Sequence, residues 1–391
     1  MSESLDPLTE EIDRRRFLSG CLRCALFCTA AQFTGITAFP RLSHGQEIRK
    51  GLPGPKLSPY FTPLSGGRVR CDLCPHQCET GPGERGQCRV RENRDGKYFS
   101  LVYGNPCAVH IDPVEKKPFF HVLPASRSFS IATAGCNFGC KFCQNWEISQ
   151  SSPDDTLNYD LPPEQVVRNA ASLQCASIAS TYVEPTIFIE YMIEVGRLAK
   201  SAGILNTMHS NGYINSGPLD DLCAHLDAAC IDLKGFTEDY YRDMTGGTLQ
   251  PVLETLKHLK RRKVHTELVN LVVPGRNDDL KQIRAMCRWI IKELGPDVPL
   301  HFTRFYPLYK LKSLEPTPVS TLDEAWKAAR EEGLQFVYIG NIPGHPAEDT
   351  VCPKCGQTVI KRVGFNVSST SLGDGKCIGC GHAIPGIWKN G

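Results

Sequence analysis

The sequence predicts an α/β fold: a partial (β/α)6 TIM-like barrel, flanked by a cysteine-rich N-terminal module and a C-terminal zinc-ribbon-like module. Three observations carry this expectation. Between residues 126 and 345, short apolar runs alternate with stretches of helical period, about six strand-helix units, the pattern of a parallel sheet covered by helices. Polar residues beside Gly or Pro follow the strands, where such barrels place their chemistry. Cysteines gather as C-x2-C and C-x3-C groups before, within and after this region, a spacing that suits metal ligation better than a disulfide framework.

Taken in order, residues 1–45 read as a twin-arginine-like targeting segment. Arg14, Arg15, Arg16, Phe17 and Leu18 precede a weakly apolar run without an acidic residue, and Ser43 and Gly45 offer a small-residue cleavage site. The segment implies export or membrane tethering, with a cytoplasmic location as the alternative. Cys21, Cys24 and Cys28 lie in the apolar run and read as small hydrophobes. Residues 46–68 form a Gly/Pro-rich linker.

The N-terminal module, residues 69–125, holds Cys71, Cys74, Cys78 and Cys88, with His76 among them and Gly81, Pro82, Gly83 and Gly86 as turn residues in the long gap. Four such thiols can wrap one zinc ion or a second iron-sulfur cluster, and spacing alone leaves both open. Alternating apolar residues then predict strands before Asp112 and Pro113, and Glu115, Lys116 and Lys117 form a charged cluster upstream of the next cysteine group.

The central region, residues 126–345, predicts strands over 128–133, 177–182, 205–209, 228–233, 264–273, 300–304 and 336–339. Helices are predicted over 163–174, 187–202, 218–225, 252–262, 280–294 and 322–332. After the first strand comes AGCNFGCKFCQNW, with Cys136, Cys140 and Cys143 spaced C-x3-C-x2-C. Three thiolates on one loop can hold three irons of a 4Fe–4S cluster and leave the fourth open to a bound molecule. Later strands end in Thr181-Tyr182-Val183-Glu184-Pro185, in His209-Ser210-Asn211-Gly212-Tyr213 and in Asp232-Leu233-Lys234.

The cysteine loop, with Phe142 as the aromatic before the third cysteine, resembles the signature of radical S-adenosylmethionine (SAM) enzymes. The resemblance implies a catalytic 4Fe–4S cluster on Cys136, Cys140 and Cys143, SAM on its open iron, and reductive cleavage of SAM to a 5′-deoxyadenosyl radical. A zwitterion such as the methionine half of SAM needs a carboxylate for its ammonium and a cation or N–H for its carboxylate. The order of motifs is similar to the pyruvate formate-lyase activating enzyme branch, which implicates Glu184 at the SAM amino group and Asp232 and Lys234 near its carboxylate; Phe142 and Asn211 join them as cofactor-binding candidates. His209 and Ser210 stand where that branch has an acidic residue. CDLCPHQC, DPVEKKP, GCNFGCKFCQNWEISQ, YVEPTIF, DLKGF, LVVPGRNDD, HFTRFYPLY and VYIGN together resemble the radical SAM member of the AmmeMemoRadiSam system, which implies Memo-like and AMMECR1-like partner proteins and a low-potential electron donor. His301, Arg304 and Tyr306 are candidates for the substrate side.

Residues 346–391 carry Cys352, Cys355, Cys377 and Cys380 as C-x2-C-x21-C-x2-C, each pair followed by Gly356 or Gly381, which predicts a structural zinc ribbon with strands over 359–363 and 366–369. Cys107, Cys175, Cys223, Cys230 and Cys287 lack partner spacing and read as core residues. Nineteen cysteines, about 5% of the chain, are too few for a small secreted disulfide scaffold. A net charge of +2 offers nothing to a nucleic-acid polyanion. Beyond the main reading, a radical SAM enzyme with an unidentified substrate, the sequence leaves two alternatives: a glycyl-radical enzyme activase acting on a protein, and an iron-sulfur electron carrier.

Overall fold

A computed structural model describes residues 48–52 and 54–389; the twin-arginine-like segment lies outside them. The centre is one eight-stranded sheet: β1 (Ala108–Pro113), β2 (Arg127–Ala132), β3 (Ser177–Ser180), β4 (Leu205–Ser210), β5 (Ala228–Asp232), β6 (His265–Val272), β7 (Leu300–Arg304) and β8 (Val337–Gly340). Spatial order equals chain order, β2 to β8 run parallel, and β1 pairs antiparallel with β2. The two edge strands do not pair, so the sheet is open.

Helices α1 (Pro163–Ser172), α2 (Ile189–Ser201), α3 (Ser216–Cys223), α4 (Glu238–Thr245), α5 (Leu249–Arg261), α6 (Leu280–Glu293) and α7 (Val319–Glu332) occupy the connections. Local chemistry sets their ends. The Asp279 carboxylate caps α6 by accepting from Lys281 N at 2.9 Å, and α7 stops at Gly333, whose φ of 111° a side chain rarely adopts. Of these seven, α4 alone has no counterpart among the expected helices. Its sequence EDYYRDMT is short and mostly polar, so it lacks a readable apolar stripe, although Tyr240, Tyr241 and Met244 are buried.

The inner strands bury both faces. On one, Leu268 and Val272 join the main core with Ile283, Met286 and Ile290 of α6. On the other, Ala228, Cys230 and Val269 pack against Val114, Phe119, Val122 and Leu123. Residues 114–123 thus close one face of the sheet. The sheet also takes in chain from before residue 126: β1 pairs with β2 from Ala108↔Ala132 to Pro113↔Arg127.

Two small antiparallel sheets precede it. One joins Phe61–Pro63, Val69–Cys71 and Glu79–Thr80; the other joins Lys56–Leu57, Lys97–Ser100 and Arg91–Arg94. A buried ion pair docks them on α2: Arg91 donates to both oxygens of Glu190 at 2.9 and 2.6 Å and to Ser58 Oγ at 2.9 Å. At the other end Thr350–Val351, Thr358–Val363 and Asn366–Thr370 form a three-stranded sheet, close to the two predicted strands. Buried Arg362 ties it to the closing segment, donating to the Phe120 carbonyl at 2.7 Å with its guanidinium over the Phe120 ring. No helix among the described residues is long and apolar enough to cross a membrane.

Glu267 of β6 holds the closing segment in place. Its carboxylate accepts from Phe120 N at 3.0 Å and His121 N at 2.9 Å, and bonds His301 at 2.8 Å. Burial works to raise its pKa, but His265 and His301 outweigh burial and hold it well below the usual carboxylate range. A group held down in this way contributes stability at neutral pH that is lost as acid protonates it. Glu267→Ala is therefore expected to cost about 3–5 kcal/mol in urea denaturation. Glu267→Gln is expected to flatten the acid-side loss of stability that the unaltered chain shows.

Candidate active site

The C-terminal ends of β2 to β5 converge on the loop that follows β2. Gly135, at φ +89°, lets the chain turn there without a Cβ penalty. The loop is pinned by its backbone: Gly135 N donates to Ile148 O at 2.8 Å, Gly139 N to Thr245 O at 2.8 Å and Lys141 N to Met244 O at 2.9 Å. The last two contacts come from α4, so the helix that the sequence pattern did not reveal supports the cysteine loop.

Cys136, Cys140 and Cys143 stand on this loop. Phe138 N donates to Cys136 Sγ at 3.4 Å, and Cys143 Sγ lies 3.2 Å from Ser149 Oγ. Burial pushes the Cys140 thiol up to about 12, against the pull of Lys234; a metal must displace that proton to gain a thiolate ligand. Among the described residues, the only three or more potential ligand atoms drawn within 4.8 Å of one another are at Cys352, Cys355, Cys377 and Cys380. The wider stance of Cys136, Cys140 and Cys143 fits a cluster, which offers each sulfur a separate iron.

The three polar motifs sit around the loop. Glu184 is buried and accepts from Thr186 N at 2.9 Å, Ser210 Oγ at 2.7 Å and Asn211 N at 2.7 Å. Burial raises its pKa against these bonds. A carboxylate has about four acceptor positions, so one remains. Asn211 Nδ2 donates to Asn137 Oδ1 at 2.8 Å, inside the cysteine loop. Asp232 bonds His209 Nε2 at 2.9 Å and accepts from Lys234 Nζ at 2.8 Å. Burial would raise the Asp232 carboxyl, but Lys234 and then His209 hold it well below the usual range. The Lys234 ammonium stands 5.6 Å from the Phe142 ring centroid. Phe142, Glu184, Asn211, Asp232 and Lys234 are thus brought together with the three cysteines.

The substrate-side candidates fare differently. His301 is buried against Glu267, Phe120 and Tyr338, so it is a packed strand residue. Arg304 donates to the Thr317 carbonyl at 2.8 Å, and Tyr306 is exposed, its hydroxyl on Asn341 O at 3.2 Å.

Sequence reasoning did not assemble a further polar group, centred on Asp112. Asp112 at the end of β1 pairs with Lys116 at 2.9 Å and with buried Lys117, and accepts from the Tyr182 hydroxyl. Lys117 Nζ also donates to that hydroxyl at 3.1 Å and lies 4.2 Å from the ring centroid. Tyr182 has φ +66°, a left-handed conformation that costs a non-glycine residue of order 1–3 kcal/mol. Asn145, two residues past Cys143, donates to its carbonyl at 2.7 Å. Asp112 and Tyr182 belong to the quoted motifs DPVEKKP and YVEPTIF, but only folding joins β1 to the turn after β3.

At the C-terminal end, Cys352 Sγ and Cys380 Sγ are 3.7 Å apart, as are Cys355 Sγ and Cys377 Sγ. Four thiolates bonded at about 2.3 Å to one tetrahedral ion would be about 3.8 Å apart, so this group fits a single metal ion. Cys71, Cys74, Cys78 and Cys88 instead line one common pocket, partly open to solvent.

The chain is similar to several known proteins. Residues 130–289 match the radical SAM superfamily. An uncharacterized protein of Methanocaldococcus jannaschii is 43% identical over 327 residues, 83% of this chain and 97% of that one. The pyruvate formate-lyase 1-activating enzyme of Escherichia coli is 25% identical over 221 residues, 52% of this chain and 89% of the enzyme. Among solved structures, a radical SAM methyltransferase from Sphaerobacter thermophilus aligns with a TM-score of 0.46 and 13% identity, over 72% of this chain and 78% of that one.

The Lys117 ammonium gives the site a measurable signature. Burial pushes its pKa down to about 8, against Asp112, from the model-peptide value of 10.5. The folded chain therefore releases this proton before the unfolded chain does, and stability should rise between about pH 8 and pH 10. Urea midpoints across that window are expected to climb in the unaltered chain relative to Lys117→Met, which lacks the titrating group. Parallel profiles would remove Lys117 as the titrating residue.

Proposed function

Because the chain belongs to the radical SAM superfamily and is an enzyme, we propose that it holds a 4Fe–4S cluster on Cys136, Cys140 and Cys143 and cleaves SAM there. The observation that carries this reading is the convergence of three successive strand ends on one cysteine loop: Glu184 and Asn211 linked to Asn137, and Lys234 beside Phe142. Glu184 offers its remaining acceptor position to the SAM ammonium, while Lys234 and Asn211 offer cationic and neutral donors to its carboxylate. A reduced cluster held by Cys136, Cys140 and Cys143 would pass one electron to bound SAM; breaking the sulfur–C5′ bond would give methionine and a 5′-deoxyadenosyl radical able to take hydrogen from the substrate.

Asp112, Lys117 and Tyr182 would line the substrate side. An ammonium, a carboxylate and a phenol at one point suit a polar organic substrate. Beside them Ser128 pairs with Asp112 and Ser177 with Ser128, and both hydroxyls are buried without a partner among the described residues. The finer affiliation is the AmmeMemoRadiSam radical SAM protein, on a partial barrel, with Memo-like and AMMECR1-like partners, a low-potential electron donor, and a targeting segment for export or tethering. Zinc in the C-terminal ribbon is the reading that the 3.7 Å sulfur spacing supports.

The test is anaerobic reconstitution with iron and sulfide, then dithionite and SAM, with 5′-deoxyadenosine as the readout. The unaltered chain is expected to form it and Cys140→Ala to form none. A well-formed cluster that neither binds nor cleaves SAM would overturn the proposal. In the same preparations about one zinc per chain should be retained, and Cys355→Ser should lose it.

A further inference from the structure

The four N-terminal cysteines form a site that the catalytic reading does not use. Cys71, Cys74 and Cys88 are buried, and together with Cys78 they face one cavity. Yet no three of them, nor any three that include His76, bring their ligand atoms within 4.8 Å of one another, whereas the C-terminal four do. One chain thus displays two kinds of cysteine site. The C-terminal thiols are drawn to the edges of a single-ion tetrahedron, about 3.8 Å. The N-terminal thiols line one pocket without closing to that spacing, as suits a cube that carries its four thiolates on four different irons.

The cavity lining supports the larger occupant. Gln87 N donates to Cys78 Sγ at 3.4 Å, and Tyr98, fully buried and on the pocket wall, has a hydroxyl with no partner among the described residues. Leaving a buried hydroxyl unmet is costly, and cluster sulfurs accept hydrogen bonds that tune their potential. Gly86 keeps this wall thin: a Cβ there would lie 2.7 Å from the Tyr98 hydroxyl and 3.6 Å from Cys78 Sγ. The Arg91 guanidinium also lines the cavity, a cation beside a group whose thiolates and sulfides carry net negative charge.

The cavity also backs directly on the catalytic loop. Asn137, between Cys136 and Cys140, is part of its wall, and His76 Nε2 bonds the Asn137 carbonyl at 2.8 Å. A Cβ added to Gly135 would come within 2.4 Å of the Cys88 carbonyl oxygen. Thr186 and Ile187, from the turn after Glu184, complete the partition.

We infer that Cys71, Cys74, Cys78 and Cys88 ligate a second 4Fe–4S cluster and that this cluster is the entry point for the electron used at Cys136, Cys140 and Cys143. The second half rests on the radical SAM reading; the first does not. In balance, the N-terminal cluster gives up one electron as the catalytic site gains one, and is re-reduced by a one-electron, low-potential protein donor of the ferredoxin or flavodoxin class.

The experiment uses the full chain with Cys136, Cys140 and Cys143 all replaced by Ala, purified and reconstituted anaerobically. Iron, acid-labile sulfide and zinc are counted, and electron paramagnetic resonance is recorded after dithionite. About four iron and four sulfide per chain with a reduced-cluster signal are expected, and adding Cys74→Ser should abolish both. Two zinc ions and no iron would overturn the cluster. The unaltered chain gives an independent count, about eight iron against about four for Cys74→Ser. For the electron path, Cys74→Ser should retain 5′-deoxyadenosine formation with dithionite but lose at least about tenfold with a protein donor, a loss of 1.4 kcal/mol or more in barrier terms. An unchanged donor-driven rate would overturn the relay while leaving the cluster standing.

Discussion

The buried carboxylate of Glu184 is the constraint on which the site depends. An ionised or protonated carboxyl placed among apolar residues must satisfy its oxygens locally. Glu184 does so by drawing in Thr186 N, Ser210 Oγ and Asn211 N, which locks the turn after β3 to the end of β4. Asn211 then reaches Asn137, and the cysteine loop takes its position from that bond. One residue at a strand end thereby couples two strands to the loop between the cysteines, and one of its acceptor positions is left over among the described residues.

A second theme is the closing segment, residues 114–123. Its apolar residues cover one face of the sheet, while Glu267, Arg362 and His121 satisfy its backbone and bind it to the C-terminal sheet. The charged run Glu115, Lys116, Lys117 is consequently not a solvated turn. Glu115 and Lys117 are each about 1% exposed, which is tolerated because Glu115 accepts from Ala125 N and Lys117 pairs with Asp112. Burying an ammonium beside a strained tyrosine has a thermodynamic cost with no evident structural return, the pattern expected where binding or chemistry is served.

The cysteine groups show how spacing in sequence translates into spacing in space. The two C-x2-C pairs at the C-terminus turn back on a short hairpin and collapse to sulfur contacts of 3.7 Å. The N-terminal group, strung over eighteen positions with several turns between, stays open around its cavity. That difference cannot be read from the count of cysteines or from their residue types.

The sequence by itself determined the strand-helix alternation, nearly every strand of the sheet, and the cysteine groups, because these depend on local period and on residue types that few other roles require. It also brought forward Glu184, Asn211, Asp232 and Lys234, since strand ends in an α/β sheet collect polar groups at one rim. Tertiary structure alone decided which polar groups meet. It paired Asp112 with Tyr182, seventy residues apart, and moved His301 from the substrate side into contact with Glu267. It placed α4 under the cysteine loop and set Cys88 against Gly135. Such contacts arise from packing between distant segments, and no local pattern encodes the position of a neighbour that the chain reaches only when folded.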